Sequence, residues 1–116
     1  MLTQWLLLLQ GGFYLLTGAW PLLHMRSFVA VTGPKTDLWL VRMVAALALA
    51  IGLALLVASR EPRANAVVAL GIGSALAFLT IDVVYVSKRT IGPIYLGDAA
   101  FEVVTLVGWG MALAQR

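Results

Sequence analysis

The sequence has no cysteine, which excludes disulfides, thiolate metal sites and cysteine nucleophiles and leaves the redox compartment unread. It is also poor in charge. Lys, Arg, Asp and Glu make up 11% of its 116 residues, against about 25% in a soluble domain, too few to cover a surface in polar side chains. There is one histidine, His24; zinc takes three or four ligands, usually with nitrogen or sulfur among them, so no metal centre is expected. No serine–histidine–acid pattern, phosphate-binding glycine loop or haem-spaced histidine pair occurs, so an enzyme is not expected and no cofactor is implied. The formal charge of +3 is too small and too dispersed for nucleic-acid binding. Basic residues in so apolar a chain flank membrane spans instead.

What is present is hydrophobicity, at 62% of the residues. A bilayer core of about 30 Å takes roughly 20 apolar residues as helix. Four stretches qualify, approximately Leu2–Leu23, Leu38–Ala58, Ala66–Val86 and Tyr95–Ala114. The expected fold is therefore all-α, a single four-helix transmembrane domain over residues 1–116 running up-down-up-down. The first stretch lacks a positive n-region and exceeds the apolar length of a signal peptide, so it reads as a retained helix. Pro34, Pro62 and Pro93 mark breaks between spans. Thr36 or Asp37 can cap the second span and Asn65 the third. Pro21 removes one backbone bond from the last turn of the first span, and Met25–Val31 either extends that span or lies in the interface. An even number of spans puts both termini on one side, with Arg60, Arg63 and Arg116; Arg26, Lys35, Lys88 and Arg89 lie on the other, near Arg42. That margin sets no orientation.

Each span carries a polar stripe at helical spacing. The stripes are Gln10, Tyr14, Thr17, Pro21 and His24; Trp39, Arg42, Ala46, Leu49 and Leu53; Gly71, Ser74, Phe78, Asp82 and Tyr85; and Asp98, Glu102, Thr105 and Trp109. Such faces are expected to turn inward, away from lipid. By depth, His24, Arg42, Asp82, Tyr85, Asp98 and Glu102 fall near one membrane side, the candidate binding site. Arg42 can pair with one carboxylate. The acids left over need Lys35 or His24 as a second positive charge, or else one holds a proton, and an acid so held can exchange protons or receive a cation. Read without function, the charges snorkel or form a stabilising pair. The tryptophans then form an interfacial belt. Gly71, Gly73, Ala75 and Ala77, with Gly108, Gly110 and Ala112, serve helix packing. The centres of the spans, and the half nearer the termini, read as apolar packing.

Residues His24-Met25-Arg26-Ser27-Phe28, Thr32-Gly33-Pro34-Lys35-Thr36-Asp37 with Trp39 and Arg42, Asp82-Val83-Val84-Tyr85-Val86, and Tyr95 with Asp98 and Glu102 carry a resemblance to DoxX-like small four-helix bacterial membrane proteins. It covers nearly the whole chain. It implies a multi-pass protein of the bacterial inner (plasma) membrane, and some members of that group are quinone-linked oxidoreductase subunits. A more distant likeness is to emopamil-binding-type bundles, whose membrane-embedded acids and aromatics hold a cationic sterol or amine. Neither resemblance brings a catalytic assignment. Three functional classes are open: a bundle binding a lipid, quinone or amphipathic small molecule; an accessory subunit with a membrane-protein partner or in a homo-oligomer; and a small proton-coupled transporter. Small multidrug transporters carry an acid in the first helix, where this chain has Gln10 and no acid.

Overall fold

The computed structural model describes residues 2–61 and 65–115. The chain forms α1 (Leu2–Leu23), α2 (Met25–Thr32), α3 (Leu38–Ala58), α4 (Asn65–Ser87) and α5 (Tyr95–Ala114). Among the described residues, α1, α3, α4 and α5 are long and apolar enough to cross a membrane. At 1.5 Å per residue, twenty residues span about 30 Å. Their outer surface agrees: Leu9, Leu16, Leu23, Val57 and Val104 are each at least 63% exposed, a surface suited to hydrocarbon and costly in water. The protein is an all-α four-helix bundle and a multi-pass integral membrane protein. The third span runs one residue further at each end than expected. The break expected at Pro62, and Arg63 and Arg116 of the charge comparison, lie outside the described residues.

Small residues set the tightest helix contact. A Cβ on Gly18 would stand 2.5 Å from the Ala45 carbonyl oxygen, and one on Gly52 would stand 2.6 Å from that of Gly11. α1 and α3 therefore meet backbone to backbone, as membrane helices do where no large side chain intervenes. Packing glycines were expected on the third and fourth spans, and there the outcome is mixed. Gly71 makes room for the Trp109 ring and Gly108 for Leu6, whereas Gly73 and Gly110 face open space. The α1–α3 contact also decides which face of α3 turns inward. Ala45, Ala48, Gly52 and Leu55 are buried. The stripe expected inward on this helix instead faces out, with Trp39, Arg42, Ala46 and Leu53 exposed and Leu49 half-buried. Close backbone approach outweighs a polar stripe whose one charge, near the helix end, can reach the interface.

Residues 25–32 are a separate short helix and do not extend α1. His24 breaks the chain at φ −150°, ψ 79°, and its ring nitrogen accepts the Ser27 amide at 3.2 Å. Trp20 holds α2 against the end of α1, donating to the Ser27 hydroxyl at 2.9 Å and meeting the Phe28 ring edge-on. Beyond it Gly33 adopts φ 103°, a conformation open to glycine. Lys35 then donates to Thr32 and Gly33 and lies 5.1 Å from the Tyr95 ring centroid, tying the loop to the start of α5. Asp37 takes the N-cap position of α3, but its side chain makes no capping bond. Its ψ of 76° falls short of the extended region from which a cap side chain reaches the free amides. Asn65 is the first residue of α4, and the residues that precede it lie outside the described ones. α4 ends in a Schellman motif, with Thr90 N–H to the Tyr85 carbonyl at 2.9 Å and Arg89 N–H to Val86 at 3.0 Å. Arg89 holds the left-handed position at φ 60°.

Candidate functional site

The inward stripes of α1, α4 and α5 meet on the bundle axis in a buried hydrogen-bonded string. Trp109 of α5, 1% exposed, donates its indole N–H to Gln10 Oε1 at 2.9 Å. Gln10, fully buried, donates from Nε2 to the Gly71 carbonyl of α4 at 2.8 Å and to the Tyr14 hydroxyl oxygen at 3.0 Å. Tyr14 donates in turn to the Glu102 carboxyl of α5, its oxygen 2.7 and 2.9 Å from the two carboxyl oxygens. The partners fix the direction. An indole nitrogen can only donate and a peptide carbonyl only accept, so the Gln10 amide has one orientation that satisfies both. With its oxygen accepting from Gln10, the Tyr14 hydroxyl has its hydrogen free for Glu102. Apart from the Gln10 N–H spent on Gly71, the donors run from Trp109 through Gln10 and Tyr14 to Glu102, so a negative charge there would be met by aligned dipoles.

Packing holds the string in place. Phe13 stacks on Phe101 at 3.9 Å between centroids, and the Tyr14 and Phe78 rings meet at 5.1 Å. Gly71 matters sterically as well as through its carbonyl, since a Cβ there would lie 2.6 Å from Trp109. Glu102 is seven residues into α5 and Trp109 five from its end. By helical rise the string therefore runs about 10 Å along the axis, through the middle of the membrane core. The centre of the bundle was expected to be largely apolar, which the string corrects; Trp109 follows its expected inward stripe and not the interfacial belt. Trp5 and Trp39, by contrast, are more than 60% exposed.

Toward the loop side the string gives way to acids. Asp98, one turn before Glu102 on α5, is half-buried. Asp82 of α4 is 4% exposed, Asp98 of α5 is close enough to act on its carboxyl, and its buried Oδ2 finds no donor among the described residues. The charged groups acting on Asp82 are Asp98 and Glu102, and the one acting on Glu102 is Asp98; among the described residues no basic side chain compensates them. No group of three or more His, Asp or Glu side chains is placed to hold a metal ion among the described residues.

Of the six residues singled out by sequence, the structure brings together Asp82, Asp98 and Glu102. Arg42 is exposed on the outer face of α3. His24 is exposed and caps α2. Tyr85 is half-buried at the end of α4, its carbonyl closing the helix and its ring 5.7 Å below the Lys88 ammonium. The Lys35 ammonium is spent on Thr32 and Gly33. Gln10, Tyr14 and Trp109 belong with the acids instead. Their stripe positions carried the signal, but sequence does not show that three helices meet at one point. Comparison with protein-family models, curated proteins and solved structures finds no match to this chain.

Proposed function

We propose that this protein is a membrane-embedded binding bundle whose acid cluster takes the headgroup of an amphipathic molecule from the bilayer. The observation that carries the reading is the buried, donorless Oδ2 of Asp82 beside Asp98 and Glu102. A buried acceptor without a donor costs about 1–3 kcal/mol, so a ligand that supplies a donor recovers that loss. This selects among amphipaths. A quinone brings carbonyl acceptors to a site already rich in acceptors, whereas an ammonium head brings donors and positive charge. Half-exposed Asp98 gives the head a way in from the end of the bundle. The resemblance to DoxX-like proteins supports a bacterial inner membrane as the location.

The test is thermal unfolding of the purified protein in dodecyl maltoside micelles with added dodecylammonium chloride. The unfolding temperature is expected to rise with amine concentration, to rise equally in Arg42→Gln, and to stay flat in Asp82→Asn and Asp98→Asn. An undiminished rise in both aspartate variants would sink the reading.

A second reading, an accessory subunit, is supported by an apolar groove of about 380 Å³ between α3 and α4. Val44, Leu47 and Ile51 line one wall, and Ala69, Gly73 and Ala77, each one turn apart, the other. Small residues at that spacing suit a helix of a membrane partner. Purification in mild detergent yielding monomer alone would count against it.

A further inference from the structure

The buried acids differ in what they are given. Glu102 has the Tyr14 hydroxyl and the aligned string behind it. Asp82 and Asp98 have each other. Carboxyl oxygens are acceptors, so two carboxyls bond directly only when one proton lies between them. The groups that face Asp82 are Asp98 and Glu102 of α5, with Tyr14 of α1 committed to Glu102. Arg42, the charged residue of α3 nearest this depth, is exposed. Lys35 and His24, the other candidates for a compensating charge, are engaged in the α2 loop. Asp82 is more than nine-tenths buried, and its buried Oδ2 has no hydrogen-bond partner among the described residues.

We propose that Asp82 and Asp98 hold one exchangeable proton between them, reached from the loop side, and that a cationic headgroup bound there displaces it one for one. The inference rests on the binding function proposed above and adds its chemistry. In the empty site one carboxyl O–H donates to the other carboxylate, and the pair carries one negative charge. On binding, that O–H bond breaks, the ammonium N–H groups donate to both carboxylates, and the proton leaves past half-exposed Asp98. Two carboxylates and one ammonium again carry one negative charge. The exchange therefore leaves the net charge in the low-dielectric interior unchanged, avoiding the cost of adding a charge there. The opposite direction is closed to protons, because the string ends in Gln10 and Trp109, an amide and an indole donor that do not relay them.

Two measurements test this. Infrared spectra at neutral pH should show a protonated-carboxyl C=O band that is lost in Asp82→Asn and in Asp98→Asn and kept in Glu102→Gln and Asp37→Asn. Both aspartate variants are expected to fold, since an asparagine amide can donate where the proton lay. In weakly buffered micelles with a pH indicator, dodecylammonium should release about one proton per amine bound. A band that survives both aspartate substitutions, or amine binding with no proton release, overturns the proposal; the latter leaves the binding function standing. If the amine does not bind at all, the binding function falls, and the infrared band alone decides whether the proton site exists.

Discussion

Tyr14 stands where the two halves of the site join, its oxygen accepting from Gln10 and its hydrogen going to Glu102. Phenylalanine fills the same space but removes both bonds, leaving Gln10 short of an acceptor and Glu102 short of a donor in a buried setting. Tyr14→Phe is expected to cost about 1–3 kcal/mol, read as a lowered midpoint in denaturing-detergent titration. Thr17→Val, three residues on, should cost much less. The Thr17 hydroxyl bonds the Phe13 carbonyl of its own helix, which keeps its backbone partner when the hydroxyl goes. A comparable loss in the two variants would mean that the string does not hold the bundle together.

Among the helices, close contact and termination make separate demands. Gly18→Ala places a methyl group against the α3 backbone, 2.5 Å from a carbonyl oxygen, and one helix must move. Overpacking of this kind costs about 1–3 kcal/mol, whereas Gly73→Ala and Gly110→Ala meet open space and should leave thermal stability nearly unchanged. At the end of α4 the sign reverses. Arg89 holds a left-handed position that glycine takes without strain, so Arg89→Gly is expected to stabilise by about 1 kcal/mol, seen as a higher unfolding temperature. The spans were legible in sequence to within a residue because hydrophobic length is local. The stripes of α1, α4 and α5 were legible because helical spacing is local too. The face of α3 was not. It depends on Gly11, Gly18 and Gly52 meeting across two helices, and a glycine in an apolar run does not announce which neighbour it approaches. Asp82, Asp98 and Glu102 could be placed by depth alone. Arg42 has that depth as well, but its direction around the helix follows from the packing of α3, so the expected pairing with an acid did not form.

At the scale of the whole molecule, an apolar exterior encloses a polar axis that is open at one end. Asp82 lies five residues from the end of α4, about 7.5 Å by helical rise and about a quarter of a 30 Å core. That depth is also an electrical distance. An ion or proton moving from the loop side to Asp82 crosses about a quarter of the membrane voltage, worth roughly 0.6 kcal/mol per 100 mV. An amine that enters as a proton leaves moves no net charge over that distance, so its occupancy in reconstituted vesicles should not depend on voltage, whereas a cation binding without proton release would change occupancy by about 2.7-fold per 100 mV. A clear voltage response would mean that the amine adds its charge to the site and does not exchange it for a proton. With Trp109 and Gln10 closing the inner end, the remaining three-quarters of the potential falls across residues that pass no charge. Under the proposed exchange, the site would fill and empty against an energised membrane without discharging it.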